Sequence, residues 1–546
     1  MIESTDTLRS RLSYEPKELQ FGTSGRRGEV VDLTQLEIYL NVLGELRYLQ
    51  SIALADGGIV AGDEFYFATD LRPSSTQYVA GEQGYGEICQ AVERAVREAG
   101  MRPVYLGKIP TPALTAYALA RGKGSIMVTG SHIPFSRNGY KLNTSGGELL
   151  KEHEAPINAA VRRVREELYG QAFSESLFDQ RGLFKTGHSD LPEALAAARS
   201  EYAQRYLDFF AGAPLQGKRI VVYQHSAVGR DLLVEILGRM GAEVIPAGRS
   251  ETFIPIDTEN IDAAQLAAIQ VLADEAHAKH GELFAVVSTD GDSDRPLILG
   301  VNSETTALRF FGGDLLGMIV AEYLGADAVV VPISCNDAID LGKLAPMLEP
   351  KTKIGSPFVI AGMANALHKG KKSVCGWEAN GGFLTGSDIA RNGHLLTALP
   401  TRDALLPILT VLVAASERGV SLAALFDELP KRFSKAALLK KFPRPMSLRI
   451  MKQFTPDGAG LEEIKLELRG FFTAELGFTD IARLDYTDGV RVIFSNGDIA
   501  HIRPSGNADE LRIYGVADTQ VRADAIAAMG VQEPDGILRR IERSLS

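Results

Sequence analysis

The chain has few cysteines, no cysteine cluster and no long apolar run. Only Cys89, Cys335 and Cys375 occur in 546 residues. They are odd in number and far apart, so neither a disulfide framework nor a zinc-type ligand spacing is available. A reducing compartment suits such a chain. No stretch approaches the roughly 20 apolar residues of a membrane helix. The first residues, MIESTDTLRSRLSYEPKELQ, lack the apolar segment of a secretory signal and read as a loose polar arm. A soluble, cytoplasmic protein with no membrane partner is expected. Basic charge is also short: 58 Lys and Arg stand against 69 Asp and Glu, a net charge of −11. That balance argues against a nucleic-acid partner, which favours a basic surface. An anionic substrate would need a locally basic pocket within an acidic molecule. The nine histidines show no clustered metal-ligand spacing.

What is present is alternation. The length is too great for one core and calls for about three to five domains. Strand-like runs at 64–69 and 102–106 alternate with helical periodicity at 33–49 and 78–99, and 126–128 is a third short apolar run. The pattern restarts at the strand 219–223 and again near 312, with the strand 328–331 and the helix 357–368. Strand–helix alternation predicts parallel sheets covered by helices. After about residue 430 the pattern changes to grouped strands, 489–494 and 497–502, before a helix at 518–529. That grouping predicts a smaller α+β domain. The expected limits are 1–190, 191–303, 304–430 and 431–546.

Four loops carry chemistry. Ile126–Val128 runs into Thr129-Gly130-Ser131-His132-Ile133-Pro134, with Asn138-Gly139 and Lys141 beyond. A serine hydroxyl is thereby presented at the mouth of a strand on a constrained turn. A hydrolase elbow is excluded, because Thr129 and Ile133 stand where G-x-S-x-G needs glycine. A plain surface loop is the alternative. In TDGDSDR, residues 289–295, Asp290, Asp292 and Asp294 alternate on a tight loop and can converge on one hard cation such as Mg²⁺. An EF-hand is excluded by Arg295 and Val301 at its sixth and twelfth places. In GWEANGGF, residues 376–383, Glu378 and Asn380 alternate and can face sugar hydroxyls; a glycine-rich turn is the alternative. Arg503-Pro504-Ser505-Gly506-Asn507, with Arg512 beyond, suits a phosphate cradle of arginine and turn amides, or else a solvated turn. GAPLQGK, residues 212–218, mimics a nucleotide loop but precedes a strand and is followed by Arg219 instead of Ser or Thr.

Taken together and in this order, these loops resemble the α-D-phosphohexomutase family, which includes phosphoglucomutases and phosphomannomutases. FGTSGRRG, residues 21–28, is similar to the family's N-terminal signature. The resemblance spans about residues 21–514. It implies three similar α/β domains and a C-terminal α+β domain around a central cleft. It implies that Ser131 carries a phosphoryl group. Asp290, Asp292, Asp294 and the Ser131 phosphate would hold Mg²⁺. Arg27, Lys141 and Arg295 would neutralise the transferring group, and His132 would support the loop. Glu378 and Asn380 would grip the sugar, and Arg503, Ser505, Gly506, Asn507 and Arg512 its distal phosphate. The implied reaction interconverts hexose 1- and 6-phosphates through a hexose 1,6-bisphosphate, which also acts as activator. Phosphomannomutase is the reading adopted. Phosphoglucomutase, a metal-dependent sugar phosphatase and a non-catalytic sugar-phosphate binder are the alternatives. The chain departs from the family's common Glu-x-Ser-Gly-His at Asn380 and Gly382, so the general acid or base is left open. The preferred sugar, the oligomeric state and the resting phosphorylation of Ser131 are also open.

Overall fold

The structure is a computed structural model that describes residues 6–22, 25–79, 86–259, 261–456, 460–504 and 509–545. Its strands form three mixed sheets, one antiparallel sheet and a small hairpin. In the first sheet Glu64–Thr69 lies between Arg102–Lys108 and Ser125–Val128, all parallel; Arg137–Thr144 and Arg26–Glu29 then add antiparallel. The second sheet repeats that order. Arg219–His225 sits between Glu243–Arg249 and Ala285–Thr289, followed by antiparallel Pro296–Val301 and Leu308–Phe310. The third is a reduced copy. Ala328–Val330 and Val374–Trp377 are parallel, and Phe383–Thr385 and Leu399–Asp403 add antiparallel. Its missing parallel neighbour survives as single bridges, Val329 to Leu348 and Pro332 to Thr352.

The first three sheets present loops at the carboxyl ends of parallel strands, where α/β folds place their ligands. The serine loop follows Ser125–Val128, the aspartate loop follows Ala285–Thr289 and the glycine-rich loop follows Val374–Trp377. One apolar core joins these units, running through Tyr66, Ile220, Val287, Trp377 and Leu405. The last unit has its own core, with Val492, Ile502 and Ile513 at its centre. Its five antiparallel strands run in the order Phe433–Lys440, Glu510–Ala517, Ile499–Pro504, Val490–Phe494, Ile481–Asp485.

Two expectations are corrected. Residues 6–20 are not a loose arm: Leu8 is fully buried, its N–H donates to the Gln171 carbonyl, and Leu19 joins a core with Phe67 and Val128 of the first sheet. The helix expected over 78–99 is described only as Ile88–Glu98, with Tyr78 bridged to Gly86 before it. Several helices had no expectation. Leu405–Arg418 is buried along most of its length, so it lacks the polar stripe that makes periodicity legible. Among the described residues no helix is long and apolar enough to cross a membrane.

Candidate active site

Gly130 and Ser131 leave the strand Ser125–Val128 in a turn held from below by Asp70. Ser131 has φ +53°, a left-handed conformation uncommon for a residue with a side chain. Its N–H donates to Thr129 Oγ1 at 2.8 Å. Its hydroxyl donates to Asp290 Oδ2 at 2.7 Å, across from the first unit to the second. His132 Nδ1 lies 3.3 Å from the same oxygen. Positive Arg295 is the main influence on His132, with burial second; together they push it well below its usual range and leave the ring neutral.

Asp290, Asp292 and Asp294 are buried, and one oxygen from each lies within 4.8 Å of the others. Lys141 Nζ donates to Asp292 at 2.7 Å and to Asp294 at 2.5 Å. Thr111 Oγ1 donates to Asp292 at 2.7 Å. Burial alone would raise Asp292, but Lys141 and Thr111 outweigh it and hold the group below the carboxylate range. Asp290 goes the other way. Burial first, then Asp292 and Asp294, push it well above the ordinary range. The second oxygens, Asp292 Oδ1 and Asp294 Oδ1, are buried without a hydrogen-bond partner. Buried carboxylate oxygens left unpaired are costly, and three hard oxygen donors facing one point fit a divalent cation.

A cavity of about 200 Å³ opens above these groups. Arg27, Lys141, Arg295, Arg402, Arg503 and Arg512 line it, with Glu378, Asn380, Asp257 and Glu259. It is the locally basic pocket that an acidic chain needs for an anionic ligand. Arg27 donates to the carbonyls of Arg26 and Tyr140. Burial lowers its pKa to about 10, so it remains a cation at neutral pH.

The sequence-predicted residues thus meet at one place, with two qualifications. Ser505, Gly506 and Asn507 lie outside the described residues. Asn380 turns its side-chain oxygen back onto its own loop, accepting from Gly382 N–H at 3.0 Å. That leaves its amide nitrogen as the group to offer a ligand. Arg503 and Arg512 reach the cavity from the last sheet, held by Asp488 at 3.0 Å and Glu510 at 3.1 Å.

Two arginines were missed. Arg402 is 4% exposed, at the end of Leu399–Asp403. It donates to Asp294 at 3.1 Å and to Glu378 at 3.2 Å, joining the aspartate loop to the glycine-rich loop. Burial opposes its charge, but Asp294 and Glu378 outweigh burial and hold its pKa above the ordinary value. Gly382 makes room for it: a Cβ there would lie 2.7 Å from Arg402 Cγ and Cδ. Neighbouring Asp403 accepts from Tyr202 at 2.6 Å and also from Tyr206, which anchors the strand to the helix Ala197–Phe209. Arg72 is the second, and it holds the serine loop by its carbonyls. Arg72, just past the strand Glu64–Thr69, offered a positional signal, whereas Arg402 lies within a strand and offered none.

Comparison with known proteins identifies the family. Residues 18–168 match the phosphoglucomutase/phosphomannomutase alpha/beta/alpha domain I, and residues 312–433 match domain III of the same set. A phosphomannomutase of Sinorhizobium fredii is 38% identical over 514 residues, 94% of this chain and 98% of its own. One of Salmonella muenchen is 37% identical over 510 residues, 92% of each chain. The crystal structure of a phosphoglucomutase/phosphomannomutase family protein from Burkholderia thailandensis superposes with a TM-score of 0.64. It covers 96% of this chain and 97% of its own at 18% identity, a likeness of fold. The chain belongs to the phosphoglucomutase/phosphomannomutase family, the α-D-phosphohexomutases.

Proposed function

We propose that the chain is a phosphomannomutase, interconverting mannose 1-phosphate and mannose 6-phosphate through a phosphorylated Ser131 and a hexose 1,6-bisphosphate. The observation that carries this reading is the position of the Ser131 hydroxyl. It sits at the floor of a cation-lined cavity and at the edge of a carboxylate triad. Two relatives that cover most of this chain at 37–38% identity are phosphomannomutases, which supports mannose over glucose as the sugar.

In the forward half-reaction the phosphorus–Oγ bond of phosphorylated Ser131 breaks. A bond from phosphorus to the free sugar hydroxyl forms, and the hydroxyl proton ends on Ser131 Oγ. Neutral His132, 3.3 Å from Oγ, is placed to relay that proton. Arg27, Lys141 and Arg295 offset the charge on the transferring oxygens. Asp290, Asp292 and Asp294 would hold Mg²⁺ with an oxygen of the Ser131 phosphate. The ion's chemistry there is to neutralise phosphoryl charge. Glu378 and the Asn380 amide bind the sugar ring, and Arg503 and Arg512 the distal phosphate. Ser505, Gly506 and Asn507 complete that cradle in this reading. The bisphosphate then turns over in the cavity and returns its other phosphoryl group to Ser131, so added hexose 1,6-bisphosphate activates the enzyme. The repeated strand order supports unit limits near 1–190, 191–303, 304–430 and 431–546. Three free, buried cysteines suit a cytoplasmic enzyme.

A coupled assay with mannose 1-phosphate, glucose 1-phosphate and glucosamine 6-phosphate, each with catalytic hexose 1,6-bisphosphate and Mg²⁺, tests the proposal. Highest kcat/KM on mannose 1-phosphate is expected. A higher value on glucose 1-phosphate makes the chain a phosphoglucomutase. Net release of inorganic phosphate without isomerisation makes it a phosphatase.

A further inference from the structure

Asp70 and Arg72 lie just past the strand Glu64–Thr69 and are 0% and 1% exposed. Neither lines the cavity. Between them they satisfy the backbone of the serine loop. Asp70 accepts from Thr129 Oγ1 at 2.8 Å and from Gly130 N–H at 3.3 Å. It also accepts from Arg72 N–H and Ser75 Oγ, both at 3.0 Å. Arg72 takes the carbonyls. One terminal nitrogen donates to Pro134 O at 2.9 Å and to Arg137 O at 2.8 Å. The other donates to Ser131 O at 3.1 Å and to Ile133 O. A single planar guanidinium therefore turns four carbonyls of one loop inward, which a lysine ammonium, a point donor, cannot copy. The loop is built around it: a Cβ at Gly130 would lie 2.6 Å from Arg72 Cζ and Nε.

The open face of the guanidinium is covered from the second unit. Its centre lies 3.8 Å from the centroid of the Phe253 ring. The same ring borders the aspartate loop. A Cβ at Gly291 would lie 3.1 Å from Phe253 Cε2 and 2.7 Å from the carbonyl oxygen of Ser131. Ser131 O is thus enclosed between Arg72 and Gly291, while the Ser131 hydroxyl meets Asp290. A residue in the left-handed region persists only where its surroundings over-determine it. Arg72 supplies that determination, and Phe253 ties it to the loop that faces the hydroxyl.

We propose that Arg72 is the positioning residue of the phosphoryl-carrying serine: a backbone clamp that Phe253 closes against the aspartate loop. The proposal rests on the reading of Ser131 as that carrier. Its consequence is a kinetic split. Arg72 is out of reach of the cavity, so substrate binding is spared. The hydroxyl loses its aim, and a misplacement of about 1 Å at a reacting atom costs about 100-fold.

The test uses the full chain with Arg72→Lys, Phe253→Leu and Ser131→Ala, each checked by circular dichroism for folding. Two quantities are read: kcat and KM of the mutase reaction, and the rate of mass gain by one phosphoryl group from glucose 1,6-bisphosphate. Arg72→Lys is expected to lose about 100-fold in kcat and in the rate of mass gain, with KM unchanged within about threefold. Phe253→Leu is expected to lose about tenfold in the same two rates. Should Arg72→Lys fail to fold, Phe253→Leu decides alone. Folded variants with wild-type kcat, or a loss carried by KM, overturn the clamp. Unchanged mass gain by Ser131→Ala would instead overturn the serine reading, so the two failures are told apart.

Discussion

The two ends of the cavity are built differently. At the serine end, several groups of the site are pinned by buried contacts across units that share one core: Ser131 to Asp290, Lys141 to Asp292 and Asp294, and Arg402 to Asp294 and Glu378. At the other end, Arg503 and Arg512 come from a unit with its own core. Polar contacts join that unit to loops of the third unit. Arg491 donates to Asp337 at 2.6 Å, Ile354 N–H to Asp488 at 3.0 Å, and Asn336 Nδ2 to the Arg432 carbonyl at 3.0 Å. Parting this seam exposes polar groups that water can pair with again, whereas opening a shared apolar core exposes all of its apolar area. The contrast suits a site that transfers at one fixed point and must release and re-seat a bisphosphate at the other.

The strongest way to break this comparison is at the fixed end. Ser131→Ala is expected to fold and to lose more than about 10⁴-fold in turnover, as removal of a covalent carrier does. Intact mass after incubation with glucose 1,6-bisphosphate should show one added phosphoryl group on the natural chain and none on the variant. Next is the joint between the loops. Gly382→Ala drives a methyl into Arg402, and displacement of that cation from Asp294 and Glu378 is expected to lower kcat/KM about 10- to 100-fold. Arg402→Ala in the same background removes the Cγ and Cδ that lie nearest the methyl. Rate should stay low; recovery of rate would show that Arg402 only fills space.

The separate core of the last unit can be read by acid. His501 is 2% exposed, its Nε2 faces the Asp488 carbonyl, and burial lowers its pKa to about 4. The unfolded chain, at about 6.5, binds the proton first. Stability therefore falls as pH drops from about 6.5 to 4, and below 4 the loss is complete, at up to about 3 kcal/mol. His501→Gln should flatten that slope in melting curves. His225, also lowered to about 4 and lodged in the second sheet, should leave its own slope unchanged in that variant. The smallest effect is expected at the seam. Arg491→Ala leaves Asp337 to Lys351, its other partner at 2.5 Å. KM should rise by about two- to fivefold, with the rate of Ser131 phosphorylation unchanged. A fall in that rate would mean that the two ends are not mechanically separate.

Removal of Asp292 illustrates where reading along the chain stopped short. Three alternating carboxylates look mutually repulsive, so deleting one should relieve the loop. The structure places Lys141 between Asp292 and Asp294, from another unit and 151 residues away from Asp292 in sequence. Asp292→Ala therefore removes a partner of Lys141 and is not expected to stabilise the chain.

The sequence by itself determined the α/β alternation, the change to an antiparallel unit near residue 430 and the polar segments that bring Ser131, Arg295, Glu378 and Arg503 to the cavity. These are local matters: strand periodicity, a glycine or proline at a turn, carboxylates spaced by two. Arg72, Arg402 and the Phe253 lid were decided only by tertiary structure. Arg72 meets backbone carbonyls and a ring from a loop of another unit, and Arg402 occupies the space left at Gly382. A carbonyl has no residue identity and an empty space has no letter. No pattern along the chain records such contacts until the units pack and bring them within reach.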